Sequence, residues 1–323
     1  TQGALLVPLS FPPAPMGMIL GIDIGGTSIK GGAYDPVSGE CLAREECSTR
    51  DGEQEQGEPA FLAETRRLIA TLESRANLPT LATGISAPGL ANREATAIAF
   101  MPGRLEGLED LNWSEALGCP VAVLNDAHAA LMGELWQGGA KGCLEVILLT
   151  LGTGVGGAIV SGGRLLRGHI GKAGHLGHIS LDYQGASDIC GCPGSLEDQI
   201  GNHNVTDRSG GRFPSTHDLI RAVEAGDADA ARIWDDSVRA LAAAIASYAN
   251  ILDPERVLIG GGISRGWEIL QPRLEAWLDR FEWRPGGARV ELRRATLGEW
   301  AGSLGAAYYA STEAGLERSR QRE

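Results

Sequence analysis

Short apolar runs broken by glycine alternate along this chain with stretches whose apolar residues recur every three or four positions. "ILGIDI" (19–24) and residues 29–35 predict a pair of strands turning at Gly25-Gly26, and more strand follows around Cys41 to Cys47. In "PAFLAETRRLIATLESRAN", Phe61, Thr65, Leu68, Ile69 and Leu72 fall on one face at helical spacing. "TGISAPG" reads as a strand, "FMPGRLEGLEDLNW" as irregular chain, and "PVAVLND" as a further strand. It feeds a helix, "AHAALMGELWQGG", which Gly138-Gly139 should stop. The second half opens as the first does: "LEVILLTLGTGVGGAIVSGG" is strand, glycine turn, strand, a repeat of element type and not of letters. A long helix over 228–252, a strand and glycine loop in "RVLIGGGISRG", a strand in "RVELRRATLG" and a last helix in "AGSLGAAYYASTEAGLERS" complete the pattern. Strands mixed with helices in two similar halves predict two α/β layers.

Composition narrows the function. A chain of 323 residues fits two domains, and 43% hydrophobic content supplies their cores. Its 46 glycines call for many tight turns or close backbone approaches. A net charge of −13 argues against a general nucleic-acid or anionic-membrane binder. It leaves room for one anionic ligand held by backbone N–H groups. The six cysteines are scattered, with only Cys190 and Cys192 close, so no disulfide framework is expected. No Lys or Arg precedes Lys30 to start a signal peptide, and no apolar run is long enough to span a bilayer. The expectation is a cytoplasmic protein. Residues 1–17 are Pro-rich and aperiodic and read as a poorly ordered extension, with Met16 or Met18 as a candidate start.

The glycine loops carry the first chemistry. "GTGVGG" (152–157) has the letters of a dinucleotide fingerprint, but that motif needs a helix directly after it. Here "AIVSGGRLL" alternates like a strand, which disfavours an NAD-dependent oxidoreductase. No P-loop sequence is present either. Two Gly/Thr hairpin turns remain, Gly25-Gly26-Thr27 and Gly152-Thr153-Gly154, with a third loop at Gly260-Gly261-Gly262 before a helix. Each alone is an ordinary tight turn; together they suit a nucleotide's phosphates. Asp23 sits in the middle of an apolar strand, where an acid needs a positive partner. Mg²⁺ carried by phosphate, usually through water, would be that partner, and Lys30 could add charge.

"GIDIGGTSIKGG", "SAPGL", "LNDAHAALMGE", "LTLGTGVGGAIV", "GKAGHLGH", "CGCPGSLED", "ILDPERVLIGGGIS" and "AGSLGAAYYA" stand in one order from about Ile19 to Ala310. This series resembles the ROK family of repressors, open reading frames and sugar kinases. The resemblance implies two ribonuclease-H-like lobes of the actin/hexokinase-like ATPase fold, with ATP and sugar in the cleft between them. The expected division is 18–125 plus 302–318 for one lobe and 126–301 for the other. The repressor branch carries an N-terminal helix-turn-helix; with only 18 residues before the first motif, a DNA-binding repressor is not expected. A homodimer is expected from the family.

By its match to the family motif, Asp126 would be the general base accepting the proton of the attacking hydroxyl. Read from the residues alone, Asp126 is also a good helix N-cap. Asn125, His175, His178 and Glu197 would contact the sugar, and Gly89 would let a loop approach it. This chain departs from the family at several places. His175 replaces a Glu, exchanging a carboxylate that accepts two hydroxyls for an imidazole that accepts one and donates one. Gly103-Arg104 follow Pro102 where an Asn is common, and Arg104 beside the sugar would favour an acidic or strongly hydrogen-bonding acceptor; a surface Arg is the plain alternative. His169 and His203 read as satisfied structural histidines. Of the family's structural zinc ligands only His178 and Cys190 are kept; Asp188 and Ser195 stand at the other two places, and Cys192 is displaced. Asp188 could serve as a ligand, Ser195 poorly. The expectation is an ATP- and Mg²⁺-dependent kinase for the primary hydroxyl of a hexose or amino sugar, with a non-catalytic sugar sensor as the alternative.

Overall fold

A computed structural model describes residues 16–316. The expected extension therefore lies outside the described residues, apart from Met16 and Gly17, and so do residues 317–318. Two five-stranded sheets carry the chain. The first runs, edge to edge, Cys41–Ser48, Ser28–Tyr34, Met18–Ile24, Thr80–Ala87, Val121–Asn125. The second runs Arg164–Leu165, Val155–Ser161, Val146–Leu151, Arg256–Gly260, Glu291–Arg294. In both, the opening strand pairs antiparallel with the next one in sequence and parallel with the one that returns later. The strand–turn–strand similarity of the two halves is thus a repeat of topology. "GTGVGG" turns one antiparallel strand into another, with Leu151 opposite Val155. No helix follows it to receive a dinucleotide.

Each sheet buries its central strand on both faces, so that strand is nearly all apolar. Ala60–Ala76 covers the first sheet with Phe61, Leu68 and Leu72, three of the residues expected on its inner face; Thr65 is buried with them and donates its hydroxyl to the Phe61 carbonyl. Ala228–Leu252 covers the second sheet along the expected span, capped by the Asp227 carboxylate on Ala230 N–H. Trp267–Phe281 packs beside it, with Pro272 tolerated in its second turn.

Two further helices join the halves. Asp126–Gln137 and the last helix, Ala301–Glu313, cross each other and share an apolar cluster that includes Leu124, Leu131, Leu148, Leu258 and Tyr309. Their backbones approach because glycine lies at the contacts. A Cβ on Gly305 would stand 1.7 Å from the Ala129 carbonyl oxygen, and one on Gly133 2.6 Å from that of Ala301. The last helix meets the first sheet in the same way: Cβ atoms on Gly21 and Gly84 would each lie 1.9 Å from a helix carbonyl, of Ser303 and Ala306. Ser303, fully buried, donates to the Gly21 carbonyl at 2.8 Å and pairs with the Tyr34 hydroxyl at 2.9 Å.

Backbone atoms cannot move aside as a flexible side chain would. Gly305→Ala is therefore expected to cost at least about 2–3 kcal/mol, as overpacked core sites do, read as a lowered midpoint of urea unfolding with an unchanged slope. A midpoint equal to that of the parent would show that the two helices are not in contact at this point.

Candidate functional site

Asp23 and Asp126 reach one cleft from adjoining elements. Asp23 stands near the end of the central strand of the first sheet, and Asp126 is the first residue of the helix that follows the edge strand. Asn125, not Asp126, caps that helix, its Oδ1 accepting from the N–H groups of Ala127 at 2.9 Å and His128 at 3.4 Å. The Asn125 amide donates at 2.7 Å to the carbonyl of Gly89, whose φ of +101° favours glycine. Asn125 thus ties the "SAPG" loop to the helix start, and its oxygen is already engaged. Capping by Asn125 leaves the Asp126 side chain free to face the cleft; one of its oxygens also accepts from Ala127 N–H at 2.8 Å.

The two acids and the Gly260-Gly261-Gly262 loop line a cavity of about 390 Å³, with Thr150, Arg265 and Glu299 among its other walls. Gly261 has a φ of +80°, and a Cβ there would fall 2.3 Å from the Leu151 carbonyl oxygen. This turn can be made only with glycine. Crowding by protein dominates the electrostatics. It raises the Asp23 carboxyl to about 6; the Ser86 hydroxyl, donating at 2.7 Å, pulls it down, the Asp126 charge pushes it up, and the Lys30 charge lowers it. Asp126 opens to the cleft yet is raised too, first by the surrounding protein, against the opposing pull of Ala127 N–H, Asn125 and the Arg104 charge. Two acids that resist ionisation thus share one cleft.

The other expected residues fall into three groups. In the first glycine turn, Gly25 accepts the Thr49 hydroxyl at 2.6 Å through its carbonyl, Thr27 accepts Thr49 N–H at 3.0 Å, and the Arg104 guanidinium lies against Gly26. Lys30 lies beside this turn, but its ammonium is paired with Glu299 at 2.7 Å and with Glu46 at 4.0 Å. The second turn is held from beneath. Val155 N–H donates to Glu197 at 2.8 Å, the Glu197 carboxylate packs under Gly154, and the Gly152 and Thr153 carbonyls accept from the N–H groups of Asn202 and His203. His203, a structural histidine as expected, also places Nδ1 2.8 Å from the Thr153 carbonyl and Nε2 2.9 Å from Asp198.

His175 and His178 share the loop that opens at Gly174. His175 has its Nε2 buried without a hydrogen-bond partner, and burial lowers its basicity, with help from the His178 and Lys172 charges. Its ring meets that of His128 edge-on, 6.1 Å between centres. His128 had no sequence signal beyond its place in the helix. It is buried, pairs with the Ala173 carbonyl at 2.8 Å, and is lowered to about 4 by burial, so it supports this loop as a neutral ring.

His178, Asp188 and Cys190 form a separate cluster, their donor atoms within 4.8 Å of one another. Its centre is the Asp188 carboxylate. One oxygen takes N–H groups from Cys190 at 2.8 Å and Cys192 at 2.9 Å, and the other lies 3.0 Å from His178 Nδ1. Burial pushes this acid up, but the His178, Cys192, Ser195 and Cys190 hydrogen bonds outweigh it and hold it below the usual range. Cys192 turns its thiol to the His178 carbonyl at 3.0 Å, and Ser195 caps the Leu196–Ile200 helix.

Sequence reasoning missed Glu134, a fully buried acid inside a helix that reads as amphipathic. It accepts from Gly139 N–H at 2.6 Å, Thr296 N–H at 2.7 Å, Leu297 N–H at 2.8 Å and the Thr296 hydroxyl at 3.0 Å. Four donors satisfy it and lock the Asp126 helix to the segment that enters the last helix. No signal in the sequence separates it from a surface Glu.

Known proteins share this layout. A glucokinase of Halalkalibacterium halodurans is 30% identical over 94% of this chain and 98% of its own length. An N-acetylmannosamine kinase of Escherichia fergusonii is 31% identical over 91% and 98%. Among solved structures, a ROK hexokinase from Thermus thermophilus superposes with a TM-score of 0.79 at 31% identity, covering 92% of this chain and 99% of that one. A ROK family glucokinase from Streptomyces griseus in complex with glucose and AMPPNP gives 0.72 at 27%, covering 92% and 100%. The match to the ROK family itself runs over residues 19–313, so this chain belongs to the ROK family.

Proposed function

We propose that this protein is a sugar kinase that transfers the terminal phosphoryl group of ATP to a primary hydroxyl of a hexose or amino sugar. The observation that carries the reading is the pair Asp23 and Asp126, facing one cleft with the Gly260-Gly261-Gly262 loop, in a chain of the ROK family. Two full-length relatives named as a glucokinase and an N-acetylmannosamine kinase support both acceptor classes.

The acceptor O–H would give its proton to the Asp126 carboxylate as the oxygen attacks the γ-phosphorus, and the bond to the ADP oxygen would break. Asp23 and Asp126 together suit a divalent cation, because neither acid is in direct contact with a cationic side chain. Mg²⁺, reached from Asp23 through water, would neutralise phosphate charge there. Gly89, Asn125, His175, His178 and Glu197 belong to the acceptor side in this proposal, Gly25, Gly152 and Gly260 with their neighbours to the nucleotide side. Residues 302–318 would return to the lobe of 18–125, with 126–301 forming the other. A homodimer acting in the cytoplasm, without nucleic acid, completes the proposal; among the described residues no helix is long and apolar enough to cross a membrane. The test is an ADP-release screen of the purified protein over hexoses, hexosamines, N-acetylhexosamines and uronic acids. Release stimulated by none of them would remove the kinase reading and favour a sugar sensor.

The cysteine loop does not fit a closed four-ligand zinc site. It offers one imidazole, one thiol and a carboxylate already holding backbone N–H groups and the Ser195 hydroxyl, while the Cys192 thiol turns to the His178 carbonyl. Metal analysis is expected to find far less than one zinc per chain, and exhaustive chelation should leave the melting temperature unchanged. Stoichiometric zinc, or melting that falls on chelation, would reverse this.

Asp126→Asn should lower kcat by about 10²–10⁴-fold, the range lost with a general base, while ATP affinity measured by calorimetry stays within about threefold. An active Asp126→Asn enzyme would take this residue out of the mechanism. In the parent, kcat/KM should fall on the acid side at a pH above the ordinary Asp value of about 3.9, since Asp126 must be ionised to work.

Asp23 has its own pH signature. Its folded value of about 6 lies above that of the unfolded chain, so its favourable contribution is complete at low pH and is lost as pH rises through 6. Asp23→Asn should therefore raise the melting temperature at pH 8, change it little at pH 4, and abolish turnover. Equal shifts at both pH values would mean that Asp23 titrates as an ordinary exposed acid.

A further inference from the structure

Arg104 is presented by a fixed loop and reaches over the first glycine turn. Gly103 and Leu105 on either side of it have φ values of +79° and +52°. Leu105 is buried, and its N–H donates at 3.0 Å to Asp51, so the backbone under Arg104 is held although its side chain is exposed. The guanidinium lies over the first glycine turn: a Cβ on Gly26 would stand 2.7 Å from Nη2, 3.6 Å from Cζ and 3.8 Å from Nε. Its charge is also felt by Asp126. Among the described residues Arg104 has no hydrogen bond or ion pair, whereas Lys30, the cation expected here, is occupied by Glu299 and Glu46. A free five-donor fork between a glycine turn and the base is placed for a group with several oxygens in one plane.

We propose that Arg104 binds the phosphoryl group in transfer, and not a substituent of the sugar. The inference rests on the kinase reading. As the acceptor oxygen bonds to phosphorus and its proton passes to Asp126, the P–O bond to ADP breaks and that electron pair leaves with ADP. Arg104 keeps all its protons and holds the equatorial oxygens with N–H donors, where charge is largest in the transition state. Gly26 has no side chain because this is where the guanidinium rests.

The test compares Arg104→Gln, Arg104→Lys and Gly26→Ala with the parent, whose sugar-stimulated ADP release first decides the kinase reading by itself. Arg104→Gln is expected to lose about 10²–10³-fold in kcat, as loss of one transition-state donor does, with the sugar KM changed by no more than about threefold. Added guanidinium ion should restore part of the rate of Arg104→Gln. ADP with aluminium fluoride should raise the melting temperature of the parent but not of Arg104→Gln, while ADP alone stabilises both. Arg104→Lys should stay well below the parent, for want of the planar fork. Gly26→Ala, whose new methyl group meets only the movable end of Arg104, should fold and show the same kcat defect. A sugar KM raised about tenfold or more with kcat retained, an altered order of acceptors, or no change in either constant would overturn the proposal.

Discussion

The crossing of the last helix over the Asp126–Gln137 helix governs the molecule, because it holds these two helices and the first sheet together at one place. Gly305 against the Ala129 carbonyl and Gly133 against that of Ala301 let two backbones touch where any Cβ would separate them. The same helix lies flat on the first sheet through Gly21 and Gly84. As a result the start of the last helix stands over Asp23, with Gly302 so near that a Cβ would be 2.6 Å from the carboxyl carbon. The start of the other helix carries Asp126. Both acids therefore owe their positions to the close glycine contacts of this helix. Glu134 fixes the same junction with polar contacts, its two oxygens taking donors from both segments.

That geometry creates an electrostatic problem, and the site's chemistry follows from it. Each acid resists ionisation because protein crowds it, and the Asp126 charge makes ionisation of Asp23 harder still. A chain of net charge −13 offers little general relief. Lys30 is held at the cleft's edge by Glu299 and Glu46, so its charge acts on Asp23 only from a distance. Positive charge brought between the two carboxylates would ease the ionisation of both.

Much of this was legible in the sequence, and the division between what was and what was not has a physical cause. Strands and glycine turns announce themselves through short-range pattern: alternation on either side of "GTGVGG" showed a hairpin where the letters alone suggested a dinucleotide loop. Asp126 is singled out by its match to a family motif at the junction of strand and helix, and the structure puts it in the cleft with Asp23. Its supposed role as cap was misplaced by one residue, since Asn125 takes the cap and the Gly89 carbonyl together. Contacts between distant segments left no trace. Lys30 and Glu299 are 269 positions apart, and nothing near either one names the other. Glu134 and His128 look like the polar face of a helix until the opposing chain is known. Arg104 reads as a candidate sugar contact or a plain surface arginine, and its place over Gly26 appears only in the fold.

The loop from His175 to Glu197 shows how a departure from a family pattern can preserve mechanics while changing chemistry. The carboxylate at position 188 gathers several hydrogen bonds, and it draws Cys190, Cys192 and His178 around itself. This closes the loop from within. Its far end then passes through the Ser195 cap into Glu197, whose carboxylate holds Val155 N–H under the second glycine turn. His178 at one end and the second glycine turn at the other are thus parts of one hydrogen-bonded body. Since a buried carboxylate loses these bonds only at a pH below its lowered folded value, the loop should stay ordered across the range in which Asp126 and Asp23 change charge. The titration of the cleft can then alter catalysis without loosening the loop that shapes it.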